Sequence, residues 1–199
     1  MSSTSAPFGF RPSFHNSGQM RPKAYTIAST YAANIFQGDP VKLTDNGVIQ
    51  LGTSDGTRSG TTDGISLLGI FAGCQYLDAS GKPTISPFWP SGVTATEIVA
   101  WVYDDPETIF EVQYNNPGTP GTDSVQTAVG EECDWVVASP GGSTQTGLSN
   151  TRLGAIQATS GQFQITGWGY EITDSLTDAY VVANVRINEH HYKAAVNSV

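Results

Sequence analysis

The amino-acid sequence predicts an all-β protein, a β-barrel or jelly-roll-like sandwich with an extended N-terminal arm, and three observations carry that prediction. Short apolar runs recur about every ten residues between Gly, Pro, Asn and Asp turn signals, with no long stretch of helical period. Charged residues make up 14% of the chain while Gly and Pro number 22 and 11. That chemistry suits strands and turns better than helices, which favour Glu, Lys, Leu and Ala. Residues 1–23 contain Pro7, Pro12, Pro22, Gly9 and Gly18 and no periodic pattern, so the chain divides into an arm and a single β-rich domain over residues 24–199.

The arm lacks the aromatic-poor composition of a solvated linker. Leaving Phe8, Phe10 and Phe14 in water forgoes about 1.5–3 kcal/mol of burial each. They must be covered, either by the chain's own body or, as the arm's isolation suggests, by a neighbouring subunit. Phe8, Phe10, Arg11, Pro12, Phe14 and Arg21 are the candidate partner-binding residues. At about 3.3 Å per residue the arm could reach roughly 70 Å.

Beyond the arm, each element has its own signal. Ala24–Ser29 reads as a strand. Gly38–Leu43 (GDPVKL) enters another, with Pro40 restricted to its first position or to an edge. Thr44-Asp45-Asn46-Gly47 is a hairpin turn, and Val48–Leu51 the return strand. Residues 52–64 form a polar loop. Ser66–Leu77 is a buried apolar run whose Gly69 and Gly73 mark bulges or close backbone approach. Ile85–Trp89 is a short strand. Ala95–Tyr103 and Thr108–Tyr114 look like a hairpin joined by Asp104-Asp105-Pro106. Asp123–Gly130 is the one short helix, with Asp123 and Gln126 as a capping box. Ser139–Asn150 reads as a second loop. Arg152–Gln157, Gln162–Tyr170 and Ala179–Asn188 complete the strands, the last alternating strictly.

Charge narrows the function. The net charge is −9, yet residues 1–38 carry Arg11, Arg21 and Lys23 and no acid, whereas Pro83–Thr151 carries nine acids and no Lys or Arg. This argues against a nucleic-acid binder, which needs clustered cations. A positive arm on a negative body suits docking between copies or onto another acidic protein, and not adhesion to a membrane. No apolar stretch approaches the ~18–20 residues of a membrane-spanning helix, and Met1–Pro12 lacks the apolar core of a signal peptide, so the expectation is synthesis in the cytoplasm, where the protein stays unless it leaves as part of a particle.

Catalytic chemistry is sparse. His190 and His191 are adjacent near the C-terminus; on a strand, neighbouring side chains point to opposite faces, so one metal could not easily take both, and a surface or interface role is expected for them. There is no nucleophile elbow and no glycine-rich phosphate loop. The carboxylates Asp104, Asp105, Glu107 and Glu111 could serve a glycosidase or hold calcium, but Asp-Asp-Pro at a turn is first of all turn chemistry. Trp89, Trp101, Trp135 and Trp168 could build a sugar platform, though tryptophans more often fill a core or an interface. Cys74 and Cys133 are expected to be buried free thiols, with a bridge as the alternative. Neither a metal nor a cofactor is implied, and no enzymatic activity is expected.

The order of motifs, APFGFRP, YTIAS, GDPVKL, LLGIFAGCQYLD, VYDDPETIFEVQ and VRINEHHY, resembles the capsid decoration (cement) proteins of tailed bacteriophages. The likeness is spread over most of the chain, with GDPVKL and LGIFAG its most distinctive pieces. It implies a β-barrel or jelly-roll-like virion protein on the capsid exterior. Such a protein clamps adjacent major capsid protein subunits together and works as a homotrimer or dimer. The rival expectations are a phage head-fibre or tail component and a carbohydrate-binding β-module.

Overall fold

A β-strand alternates its side chains between two faces, so each strand here can be assigned to a core by which alternate residues it buries. The computed structural model describes residues 4–54, 66–115, 127–156, 161–169 and 179–193. Twelve strands lie among them: β1 Arg11–Phe14, β2 Lys23–Tyr25, β3 Pro40–Leu43, β4 Ile49–Leu51, β5 Gly69–Asp78, β6 Pro83–Ser86, β7 Ala95–Tyr103, β8 Ile109–Asn115, β9 Glu132–Gly142, β10 Ser149–Ile156, β11 Phe163–Trp168 and β12 Tyr180–Ile187. The fold is all-β, as expected.

Strands β8, β10, β9, β11 and β12 close into a five-stranded barrel, with β12 returning to pair with β8. Closure removes the exposed edges that an open sheet would present. The alternation in β12 buries Val181, Ala183, Val185 and Ile187. They join Phe110, Val112 and Tyr114 of β8, Trp135 of β9, Leu153 of β10 and Phe163 and Ile165 of β11 in one core. The second sheet runs β2-β7-β5-β3-β4, with β6 on the far half of β5. Its core contains Ile27, Ile35, Val41, Ile49, Phe71, Trp89, Ala100 and Val102.

The start of the apolar run in β5 serves both cores. Leu67 and Ile70 point into the barrel cluster, while Leu68 and Phe71 point into the second. Gly69 permits this because a Cβ there would sit 2.2 Å from the Tyr103 carbonyl oxygen. Gly73, at φ 128°, lies at the register shift of β5 against β7. Close approach and a bulge were the two roles expected of these glycines. The hairpin turn also forms as expected, with Gly47 at φ 72° and the Thr44 amide donating to the Val48 carbonyl at 3.0 Å.

Three expectations are corrected. Strands β7 and β8 are not a hairpin: β7 pairs with β5 and β2 in the second sheet, β8 with β12, β1 and β10 in the barrel sheet. The Asp-Asp-Pro turn is thus a crossover between sheets, because Ala100 and Val102 fill one core and Phe110 and Val112 the other. The loop expected over Ser139–Asn150 narrows to residues 143–148, as β9 continues to Gly142 opposite Ser149 of β10. Gly142 allows this, since a Cβ there would lie 2.3 Å from the Phe36 ring. The strand expected at Ile85–Trp89 runs instead over Pro83–Ser86, and Trp89 makes an isolated bridge to Ile35. Of the expected helix, residues 123–126 lie outside the described residues; Thr127–Gly130 is a single turn that buries Ala128 in the barrel.

Candidate partner-docking site on the N-terminal arm

The arm is built into the barrel. Strand β8 pairs along one edge with β12, and its other edge is divided: β10 meets it in parallel at a single register pair, Leu153 with Tyr114, and β1 pairs with residues 109–111. The arm thereby seals the seam where β8 and β10 diverge. Around it, the Gly9 amide donates to the Thr151 carbonyl of β10 at 3.1 Å and the Phe10 amide to the Gly38 carbonyl at 2.9 Å. Ala6 N donates to Gln113 Oε1, and Ser13 Oγ to Glu111 Oε1.

These contacts set the fate of each candidate residue. Phe10 is 1% exposed and stacks on Phe163 with ring centroids 4.3 Å apart. The structure thus places it in the chain's own barrel core, away from any surface a partner could touch. Phe8 is half-buried beneath the Arg11 guanidinium, which lies 4.1 Å above its ring, a cation–π arrangement. Phe8, Arg11 and Pro12 rim a cleft of about 150 Å³ together with Gln37, Tyr103 and Leu148. Phe14 is 53% exposed, Met20 37% exposed, and Arg21 is also exposed. The arm therefore has a buried root and an outward ledge of apolar and cationic side chains.

Beyond Phe14 the arm leaves the barrel sheet and reaches the second sheet at β2. It crosses the same boundary as the β7–β8 crossover, and the two connections are tied together. His15 Nε2 lies 3.2 Å from Asp105 Oδ2, and Lys23 Nζ lies 3.4 Å from Asp104 Oδ2. Tyr25 donates its hydroxyl to Asp104 Oδ2 at 2.6 Å and meets the Tyr192 hydroxyl at 3.2 Å. Burial and the Asp104 carboxylate both push the Tyr25 phenol well above its usual range. Lys193 approaches Glu107 at 4.0 Å. The turn itself has Asp105 Oδ1 accepting from the Glu107 amide at 2.9 Å, the Asx-turn chemistry expected of Asp before Pro. The acidic crossover is thus a clasp for the arm and the C-terminal segment, and no group of three or more potential metal ligands forms among the described residues.

Of the remaining chemical candidates, three tryptophans and both cysteines lie in the cores, and the surface role expected of both histidines is corrected for His190, which is buried. Trp89, Trp135 and Trp168 are buried, and Trp101 is partly covered. Among the described residues, Phe14 and Tyr192 are the most exposed of the Phe, Tyr and Trp side chains, each about half open to solvent, and no tryptophan platform forms. Cys74 and Cys133 are free, buried, and in separate cores, and desolvation pushes both thiols up to about 12. His190 is buried with its pKa lowered by desolvation, while His191 is exposed.

One group escaped sequence reading. Asp39, the first acid of the chain, is 3% exposed. It takes a hydrogen bond from Ser149 Oγ at 2.5 Å on Oδ1 and from the Phe36 amide at 2.7 Å on Oδ2. Ser149 in turn contacts Thr151 Oγ1 at 2.8 Å, and Thr151 Oγ1 donates to the Gly38 carbonyl at 3.3 Å. The cluster lies directly under Gly9. The signal was present in Gly38-Asp39-Pro40, an acid between two backbone-restricting residues, but its burial is a tertiary fact. Compared with known protein families, with characterised proteins and with solved structures, this chain matches none of them.

Proposed function

We propose that the protein is a structural virion component that binds the outer surface of a tailed-phage capsid and stabilises the shell by bridging neighbouring major capsid protein subunits, acting as a homo-oligomer. One observation carries the reading: the arm is anchored at both ends, by β1 on β8 and by β2 on β7, and exposes Phe14, Met20 and Arg21 between those anchors. A preordered ledge loses little entropy on docking. Weak contacts of this kind become strong when repeated across a shell. The motif order that resembles decoration proteins supports the same reading, as does the opposition of a cationic arm and an acidic body.

The test is co-sedimentation of the purified protein with capsid shells lacking it. Phe14→Ser combined with Arg21→Glu is expected to lower occupancy at least tenfold while leaving the melting temperature near that of the unaltered protein. Saturation of the shells by this double variant at the original concentration would overturn the docking assignment. Occupancy is also expected to fall with added salt, because exposed charges are screened within about 10 Å at 0.1 M ionic strength.

A further inference from the structure

The Asp39 cluster is a buried titratable group that the docking ledge does not use, and its position gives it a task. Gly9 lies on it: a Cβ at Gly9 would meet Ser149 Cβ at 2.9 Å and the Gly38 carbonyl oxygen at 3.1 Å. The main chain on either side of Asp39 holds other parts of the fold, with Gly38 N donating to the Phe71 carbonyl, Phe71 N to the Asp39 carbonyl and Phe10 N to the Gly38 carbonyl. Arm, barrel and second sheet therefore meet at the Gly38–Asp39 main chain, and the Asp39 carboxyl beside it is held by Ser149 of β10 beneath Gly9 and by the Phe36 amide.

Among the described residues no cation reaches that carboxyl. The charged side chains on the elements packed around it are engaged elsewhere: Arg11 of β1 lies over Phe8, Lys42 of β3 bonds Thr53 Oγ1, and Arg152 of β10 reaches Ser5 Oγ. The groups that face it are a hydroxyl and an amide. A buried carboxylate with two neutral donors and no counter-ion disfavours its charged form. We propose that Asp39 is a proton-operated latch on the arm, holding the root in the barrel seam when protonated and loosening it when ionised. This stands independently of what the arm docks onto.

The direction of the effect follows from linkage. Desolvation pushes the Asp39 carboxyl up from 3.8 to about 6, outweighing the Ser149 and Phe36 hydrogen bonds that lower it. A raised carboxyl favours the closed arm below the unfolded value of about 4, and that preference is lost as pH rises to about 6. Between pH 5 and pH 7.5 the equilibrium for opening the root should rise roughly tenfold.

The readout is amide hydrogen exchange at Gly9 and Phe10, corrected for intrinsic base catalysis and referenced to the β12 amides. The expected result is a roughly tenfold fall in protection of the two arm amides over that interval, absent from β12. Asp39→Asn should make the arm's protection independent of pH. Ser149→Ala, which removes a donor to the ionised form, should move the midpoint upward. Protection in the unaltered protein that does not change with pH would overturn the proposal, and so would an Asp39→Asn profile with the original slope. Should Asp39→Asn fail to fold, the unaltered and Ser149→Ala profiles still decide.

Discussion

Phe10 and Phe14 lie in the same short arm, on the same strand or at its edge, and meet opposite fates. The root around Phe10 is hydrogen-bonded on both sides, to β8 through strand pairing and to β10 through Gly9. Phe14 lies at the end of β1, where the arm departs for the second sheet, and more than half of its surface stays in water. The difference teaches that an aromatic arm need not be wholly intra- or intermolecular. Its root can complete the protein that carries it while its outer part remains available to another.

The sharpest way to break that comparison is Phe10→Ala. It removes a fully buried ring stacked on Phe163 and should cost about 3–5 kcal/mol in denaturant unfolding, whereas Phe14→Ala should stay within about 0.5 kcal/mol. Equal losses would mean the root is not part of the barrel. For the same reason, removal of residues 1–22 should destabilise the body by uncovering the β8–β10 seam, where the arm's composition alone would suggest a dispensable tail. Next in size is Gly9→Ala, expected to lose roughly 2 kcal/mol, because Gly9 combines φ 76° with a position where an added methyl group would lie 2.9 Å from Ser149 Cβ. Gly18 shares the positive φ, 73°, but has open space around it; Gly18→Ala should cost about half as much, and the gap between the two variants measures the packing of the root. Smallest is His15→Gln, which removes the contact of a largely covered imidazole with the half-exposed Asp105 carboxylate at the surface and should change stability by less than about 1 kcal/mol. A larger loss in thermal unfolding would show the clasp to be a structural lock on the arm.

Much of the fold was legible because side-chain alternation is local. Strand β12 buries every second residue from Val181 to Ile187, the Asn46-Gly47 turn forms where its dipeptide stands, and Gly69 and Gly73 mark a close approach and a bulge. Illegible was which sheet each strand joins. The segments flanking Asp104-Asp105 have the lengths and turn chemistry of a hairpin, yet the burial of Ala100 and Val102 in one core and Phe110 and Val112 in the other separates them. Of the candidate site residues, Arg11, Phe14 and Arg21 are exposed, Phe8 and Pro12 are partly covered at the cleft, and Phe10 is withdrawn into the core. Strand periodicity says which face a residue shares with its neighbours, but not which faces meet.

By itself the sequence determined an all-β chain rich in turns, a short cationic aromatic arm, and an acidic body without a recognisable catalytic motif. Those properties reside in single residues and in spacings of two to four, where backbone sterics and side-chain polarity act directly. The tertiary structure alone decided that the arm seals a barrel, that the acidic turn bridges two sheets, and that Asp39 is buried beneath Gly9. Each joins groups far apart in the chain, and their meeting depends on how two hydrophobic cores close around shared strands rather than on any local preference.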